Sequence, residues 1–128
     1  MNTRVEKKKI LVIDDDISLS RILADALQEH DVSYEVTLVS SGEKGILKAK
    51  EIKPDLILLD LLMPDLSGIG VMQKMKQDSE LSAIPILILS QMSDMEKIAE
   101  ALSLGAKGYI IKADVDLHSM LEQIDNQL

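Results

Sequence analysis

Four short apolar runs, each followed by a reactive or charged residue, constrain the fold of this chain more than any other feature. The runs are residues 10–13 (ILVI), 56–59 (LILL), 86–89 (ILIL) and 109–111 (YII). They do not alternate with polar residues, and such continuous runs are typical of strands buried on both faces of a parallel sheet. A fifth run, 34–39 (YEVTLV), alternates more and predicts an edge strand.

Between these runs, apolar residues recur at the spacing of helices. They are Leu19, Ile22, Leu23, Ala26 and Leu27; Gly45, Ile46 and Ala49; Ile69, Met72 and Met75; Met95, Ile98, Ala99 and Leu102; and Leu117, Leu121, Ile124 and Leu128. We expect the methionines among them, Met72, Met75 and Met95, to fill the core. Capping-box spacing of Ser40 with Glu43, and of Ser93 with Glu96, predicts two helix starts.

The order of strand and helix therefore repeats five times along the chain. Right-handed crossovers between parallel strands place helices on both faces of the sheet. We predict one doubly wound α/β domain over residues 9–128, preceded by a polar, basic leader over residues 1–8.

The composition excludes several classes of protein. A chain of 128 residues fits one globular domain, and the absence of cysteine excludes disulfides and thiolate metal sites. No apolar run approaches the ~20 residues that span a bilayer, and the start lacks the apolar core of a signal peptide. We therefore expect a cytoplasmic protein with no membrane contact. The net charge of −8 repels phosphate backbones, so direct nucleic-acid binding is not expected.

The polar residues that end the strands predict a functional site. They are Asp14-Asp15-Asp16 after the first run, Asp60 after 56–59, Ser90 after 86–89 and Lys112 after 109–111. In an open parallel sheet, the carboxyl ends of the strands lie along one edge, where ligands bind. We expect Asp14, Asp15, Asp60, Ser90 and Lys112 to converge there.

Three neighbouring carboxylates repel one another, and a divalent cation relieves that repulsion. Oxygen ligands without cysteine or paired histidines favour Mg²⁺, with Mn²⁺ as an alternative, and a phosphate oxygen can complete the coordination. An Asp carboxylate can accept a phosphoryl group as an acyl phosphate. Asp60 is therefore the candidate nucleophile, with Lys112 and Ser90 as partners of the phosphoryl oxygens.

Four motifs carry a family resemblance. They are the acidic pair in 11–15 (LVIDD), 54–60 (PDLILLD) with 63–68 (MPDLSG), 84–90 (IPILILS) and 105–112 (GAKGYIIK). In this order and at these spacings, they resemble the receiver domain of two-component response regulators, of the chemotaxis-regulator type. The resemblance extends from about Lys9 to Leu128 and implies a flavodoxin-like sheet of strand order 2-1-3-4-5.

The resemblance implies a site centred on Asp60. A partner histidine kinase or phosphotransfer protein would phosphorylate Asp60. Asp15 and Asp60 would bind Mg²⁺ directly with the backbone carbonyl of Leu62, and Asp14 would act largely through bound water. Ser90 and Lys112 would contact the phosphoryl group.

The resemblance also implies a conformational switch rather than a turnover enzyme. Ser90 would move toward the phosphoryl group, Tyr109 would turn inward, and the face of the fourth helix, fifth strand and last helix would change. That change would alter the binding of an output protein, and pairing of two copies is left open. For Tyr109, simple packing against the last helix is an equal alternative.

The chain departs from the family pattern at several positions near the site. Ala113 stands where the family usually has a cis proline, and we expect a trans bond there because cis costs ~2.5–4 kcal/mol without proline. Gln91 stands where the family favours a small side chain. Leu62 and Met92 are apolar at positions that vary, and we hypothesise that they exclude water and slow dephosphorylation. His30 and His118 are expected to face solvent.

Two other functions remain open. Asp14-Asp15-Asp16 also fits the Asp-x-Asp start of haloacid-dehalogenase-like phosphatases, in which Asp14 would be the nucleophile. That family needs a further acidic pair after its lysine, and only 16 residues follow Lys112. The other alternative is a receiver-like scaffold that binds partners without phosphorylation, which Gln91 and Ala113 favour. We expect no output module after the last helix, so the sequence predicts either a stand-alone regulator or a domain of a longer protein.

Overall fold

The computed structural model describes residues 6–91, 95–114 and 116–128. Five parallel strands form one sheet in the order β2-β1-β3-β4-β5, which confirms the expected topology. The strands are β1 (Lys8–Ile13), β2 (Tyr34–Val39), β3 (Leu56–Asp60), β4 (Ile86–Ser90) and β5 (Gly108–Ile111). Met92 and Ser93, to which the sequence assigns a role in phosphoryl lifetime and a helix cap, lie outside the described residues.

Five helices connect and cover the strands. They are α1 (Ile17–His30), α2 (Gly42–Ile52), α3 (Gly68–Lys76), α4 (Met95–Ser103) and α5 (Leu117–Gln127). A short 3-10 helix, Lys112–Asp114, follows β5 and was not predicted. Within the described ranges, no helix has both the length and the apolar character needed to cross a membrane.

Alternate residues of each central strand face opposite layers of helices. On one face, the strand residues Ile10, Val12, Leu56 and Leu58 pack with the buried residues of α1 and α5, which include Leu23, Leu27, Met120 and Ile124. On the other face, Leu11, Ile13, Ile57 and Leu59 pack with those of α2, α3 and α4, which include Ala49, Val71, Met75 and Ile98. The apolar runs 10–13, 56–59 and 86–89 are thus buried on both sides, as the sequence predicts. The same prediction is wrong for the run 109–111, because β5 is an edge strand in which Tyr109 is exposed.

Several residues of the predicted apolar stripes do not lie in the core, among them Ala99, Leu102 and Leu117, which are exposed. The side chain of Ile22 is 68% exposed, and that of Met95 is 51% exposed, so the prediction that Met95 fills the core is wrong. On α1, the polar residue Ser20 is buried instead. Its hydroxyl donates a hydrogen bond to the carbonyl of Asp16 at 2.9 Å, which allows a serine to face the sheet.

The start of α2 also corrects the sequence prediction. Ser41, rather than Ser40, is the N-cap, and its hydroxyl oxygen accepts a hydrogen bond from the Lys44 amide at 3.3 Å. Gly42 is the first helical residue. The capping box of Ser40 with Glu43 is therefore not formed.

A polar cluster fastens the end of α5 to the edge of the sheet. The Tyr34 hydroxyl donates a hydrogen bond to one carboxylate oxygen of Asp125. The other oxygen of Asp125 lies 2.8 Å from Nε2 of His30. Both histidines are exposed, as expected, but His30 has this partner. Burial and the neighbouring Asp125 raise the pKa of the Tyr34 hydroxyl above its usual range.

Replacing Tyr34 with Phe is expected to lower the free energy of unfolding by about 1 kcal/mol at neutral pH, because the hydrogen bond to Asp125 is lost. The raised pKa of Tyr34 means that the unfolded chain ionises first as the pH rises above about 10. The wild type then loses stability that the variant never had, so the difference should shrink at high pH. Urea unfolding from pH 7 to 11 measures this, with Tyr109→Phe as the exposed control. A difference that is constant with pH would contradict it.

Candidate functional site

The carboxyl ends of the strands bring the predicted site residues to one edge of the sheet. Asp60 is the last residue of β3, the strand that pairs with both β1 and β4. Asp14 follows β1, and Lys112 follows β5. A cleft of about 700 Å³ opens at this edge, lined by Asp15, Asp16, Leu19, Asp60, Leu62, Gln91, Lys112 and Ala113.

Three carboxylates form a compact cluster at the cleft. One oxygen from each of Asp14, Asp15 and Asp60 lies within 4.8 Å of the others. Asp14 and Asp60 are buried, with 1% and 6% of their surface exposed, whereas Asp15 is open to solvent. Hard oxygen donors with one solvent-facing member suit a small divalent cation that keeps several of its waters. The donor set therefore fits Mg²⁺ or Mn²⁺.

Lys112 is the cation that faces these carboxylates. Its Nζ lies 2.8 Å from Oδ2 of Asp14 and 3.5 Å from Oδ2 of Asp60. Burial alone would lower the pKa of Lys112, but the hydrogen bond with Asp14 and the charge of Asp60 outweigh burial and raise it. Lys112 is therefore held as a fixed positive charge in the site.

Asp60 has the most perturbed carboxyl group of the site. Burial, and then the negative charge of Asp14, raise its pKa to about 7. Lys112 and the amide of Leu62 oppose this shift, and the Leu62 N–H donates to Oδ1 of Asp60 at 3.2 Å. An additional positive charge in the cleft would favour the ionised form.

The three aspartates that follow β1 have different roles. Oδ1 of Asp14 accepts a hydrogen bond from the Asp16 amide at 3.0 Å, which fixes the turn. Asp16 caps α1, since its carboxylate accepts from the Leu19 amide at 3.1 Å. Asp14 and Asp15 are thus the members of the triplet that belong to the carboxylate cluster.

Of the remaining predicted residues, Ser90 and Tyr109 do not line the cleft, whereas Gln91 and Ala113 do. Ser90 ends β4 beside Ile111 and is 1% exposed, outside the lining of the cleft. Tyr109 is 39% exposed and borders a crevice between β5 and α5. The two departures from the family pattern, Gln91 and Ala113, line the cleft, and the peptide bond before Ala113 is trans, as expected.

Sequence reasoning missed one residue that shapes the site. Asp65 lies within the motif 63–68, and its carboxylate accepts hydrogen bonds from the amides of Gly42 and Glu43. Those partners lie 23 and 22 residues earlier in the chain. No local spacing signals such a contact, because only the fold brings α2 next to this loop.

The sequence model of the response regulator receiver domain family matches residues 10–125 of this chain. The chain is 36% identical over 127 residues to the probable transcriptional regulator ycf27 of Porphyridium aerugineum, covering 94% of this chain and 51% of that protein. It is 33% identical over 106 residues to the DNA-binding response regulator MtrA of Mycolicibacterium paratuberculosis, covering 83% of this chain and 45% of that protein. The chain thus spans about half the length of these curated relatives.

Solved structures of response regulators are also similar to this chain. The chemotaxis protein CheY4 of Vibrio cholerae is similar with a TM-score of 0.85 and 28% identity, covering 95% of this chain and 99% of that one. The Mn²⁺-bound form of response regulator Rcp1 is similar with a TM-score of 0.79 and 26% identity, covering 93% and 92%. With the family match over residues 10–125, these likenesses show that the chain belongs to the response regulator receiver domain family.

Proposed function

We propose that this domain is a phosphorylation-dependent switch in which Asp60 accepts a phosphoryl group from a histidine kinase or a phosphotransfer protein. The observation that carries the proposal is the buried carboxylate of Asp60, which faces an open cleft between two further carboxylates and Lys112. Asp60 lines the cleft, whereas both oxygens of Asp14 face protein groups, the Asp16 amide and Lys112. This difference favours Asp60 over Asp14 as the nucleophile and disfavours the phosphatase alternative.

The transfer is an in-line displacement at phosphorus. A carboxylate oxygen of Asp60 forms a bond to phosphorus while the bond from phosphorus to the donor's histidine nitrogen breaks, and that nitrogen keeps the electron pair. Such transfers depend chiefly on positioning and on neutralisation of charge. Lys112 supplies one fixed positive charge beside Asp60. The domain promotes its own modification in this way and does not turn over a substrate.

The residues that would hold Mg²⁺ are Asp14, Asp15, Asp60 and the backbone carbonyl of Leu62. When bound, the cation neutralises charge on the carboxylates and on the phosphoryl oxygens. Mn²⁺ is an alternative, and Rcp1 is a similar protein that was solved with Mn²⁺. The chain's own contribution is to keep Asp60 in place, through the Leu62 amide and Lys112.

The output of the switch would be the face formed by α4, β5 and α5. In the proposed response, Ser90 moves toward the phosphoryl group and Tyr109 turns inward. Met95, Leu102 and Tyr109 already present partly exposed apolar surface on these elements, which supports a binding face. The partner is an output protein or a second copy of the domain. The switch would reside in residues 9–128, after the leader over residues 1–8.

The net charge of −8 supports the further proposal that this domain does not itself bind nucleic acid. MtrA is named as a DNA-binding regulator, and the chain covers 45% of it, so an output step on DNA would belong to another part or partner. We also propose a cytoplasmic location, where histidine kinases deliver the phosphoryl group.

Incubation with acetyl phosphate tests the proposed function. Intact mass spectrometry should show the gain of one phosphoryl group in the presence of Mg²⁺ and none after chelation. A reactive receiver domain serves as the positive control. If this protein gains no phosphoryl group while the control reacts, the result would instead favour a scaffold that is not phosphorylated. Gln91 at the cleft makes this the relevant alternative.

Leu62 is expected to protect the acyl phosphate from water. Its side chain lines the cleft, is 42% exposed and comes two residues after Asp60 in the chain. Leu62→Asn should speed loss of the phosphoryl group about 10-fold, the effect of lowering the barrier by about 1.4 kcal/mol, because an amide can orient a water. The decay of phosphorylated protein after removal of acetyl phosphate measures this, with exposed Leu47→Asn on α2 as control. Equal decay of variant and wild type would exclude this role.

A further inference from the structure

The loop that joins β3 to α3 is closed at its neck. We call residues 61–67 the site loop, because it begins directly after Asp60. The amide of Gly68 donates to the carbonyl of Leu61 at 3.0 Å. A side chain at position 68 would lie 2.5 Å from the Asp60 carbonyl and 2.8 Å from the Leu61 Cα. The neck of the site loop is therefore in direct contact with the backbone of Asp60.

The far end of the site loop is fastened to α2. Oδ1 of Asp65 accepts from the Gly42 amide and Oδ2 accepts from the Glu43 amide, each at 3.1 Å. These hydrogen bonds, first that of Glu43 and then that of Gly42, lower the pKa of Asp65. The carboxylate is thus ionised at neutral pH and lies at the positive end of the helix.

Asp65 completes the cap of α2. The first amides of a helix have no partner within the helix. Ser41 accepts from the Lys44 amide, and Asp65 accepts from the two amides before it. A side chain at position 42 would lie 2.7 Å from the Leu66 carbonyl, so the helix start and the site loop are in close contact. One carboxylate therefore joins two elements that are remote in sequence.

We infer that Asp65 is a positioning residue, which ties the site loop to α2 and thereby holds the backbone of Leu62 beside Asp60. Leu62 lies between the closed neck and Asp65, and its amide already donates to Oδ1 of Asp60. Asp65 does not line the cleft and touches no reacting atom. The effect of Asp65 on metal binding and phosphorylation rests on the proposed function, in which the Leu62 carbonyl binds Mg²⁺.

Asp65→Ala tests this inference in the full chain. Loss of a group that orients a metal ligand typically weakens metal binding by at least about 10-fold, and we expect that loss for Mg²⁺. Phosphorylation by acetyl phosphate should slow by a similar factor at limiting Mg²⁺ and recover at saturating Mg²⁺. In the metal-free protein, amide hydrogen exchange at Leu62, Gly42 and Glu43 should become faster. Asp65→Asn keeps one acceptor oxygen, so its Mg²⁺ affinity should lie between those of Asp65→Ala and wild type.

Ser41→Ala is the matched control, because it removes a cap of α2 and leaves Asp65 in place. It should lower stability without changing Mg²⁺ affinity or exchange at Leu62. The inference is overturned if Asp65→Ala keeps the wild-type values, or if Ser41→Ala reproduces its defects. If wild type takes up no phosphoryl group, the proposed function fails, whereas Mg²⁺ affinity and Leu62 exchange still decide the role of Asp65.

Discussion

Replacing Asp60 with Asn is expected to abolish the uptake of a phosphoryl group from acetyl phosphate and Mg²⁺. The amide cannot form an acyl phosphate, and we expect neither Asp14 nor Asp15 to replace Asp60 as the acceptor. Asp14 is 1% exposed and held by Lys112 and the Asp16 amide. Asp15 lies on the solvent-facing side of the cluster. Intact mass spectrometry over time measures the uptake for both proteins.

Asp14→Asn is the informative companion to this variant. It removes one charge from the carboxylate cluster and leaves Asp60 in place, so uptake should be slower by about 10- to 100-fold but still present, as for loss of a group that supports a metal. A phosphatase with Asp14 as nucleophile predicts the reverse order. Uptake by Asp60→Asn together with none by Asp14→Asn would therefore reject the assignment of Asp60.

Asp60→Asn is also expected to stabilise the metal-free protein at neutral and alkaline pH. The pKa of Asp60 is raised from 3.8 to about 7 in the folded protein. A raised pKa gives stability that is fully present below about pH 4 and is lost as the pH rises to about 7, because the unfolded chain ionises first. Above that range, the buried negative charge of Asp60 lowers the free energy of unfolding, and the neutral Asn side chain does not have this effect.

The full shift in the pKa of Asp60 corresponds to at most about 4 kcal/mol. We expect a gain of about 2 kcal/mol at pH 8 for Asp60→Asn, because the buried amide also loses contact with Lys112. The gain should fall toward zero near pH 4. Chemical unfolding in the presence of a chelator measures it, and added Mg²⁺ should reduce the gain by stabilising the wild type.

Asp78→Asn provides a control of opposite sign. Hydrogen bonds from the Glu80 amide and from Lys50 lower the pKa of Asp78, so this carboxylate stabilises the fold above about pH 4. Asp78→Asn should therefore lower stability at pH 8 and have less effect in acid. If Asp60→Asn destabilises the metal-free protein at pH 8 as Asp78→Asn does, the electrostatic description of the site is wrong.

The strands were predictable because their burial leaves a simple trace in the sequence. Each central run is apolar throughout, since both faces of the sheet are covered, and the structure adds only one or two residues at its ends. Asp14, Asp60 and Lys112 followed from the same logic, because parallel strands deliver their carboxyl ends to one edge. The carboxylate cluster was thus accessible from the sequence alone.

Which face of a helix packs against the sheet was less predictable. Ile22 and Met95 fit apolar stripes but are exposed, while Ser20 is buried. A small side chain that bonds to its own helix can face the sheet at little cost, so hydrophobic spacing alone does not fix which face packs. The spacing to Glu43 predicted Ser40 as the cap of α2, whereas the adjacent Ser41 caps it, because this pattern does not fix where a helix begins to within one residue.

Contacts between remote segments could not be predicted from a single sequence. Asp65 meets the start of α2, and Asp125 meets His30 and Tyr34, only after the sheet has formed. Each is a common surface residue whose local sequence carries no signal for such a role. The predicted movement of Tyr109 is a different case. Its exposed position describes one state of the proposed switch, and the position after phosphorylation has to be measured on the phosphorylated protein.

Location of the modified residue in the phosphorylated wild type tests the central claim most directly. Borohydride reduction converts a phosphorylated aspartate to homoserine, which survives digestion and peptide sequencing. Protein treated with acetyl phosphate and Mg²⁺ should carry homoserine at position 60 and at no other aspartate, and none after chelation. Homoserine at position 14 or 15, or its absence from position 60 in protein that has gained a phosphoryl group, would contradict the account.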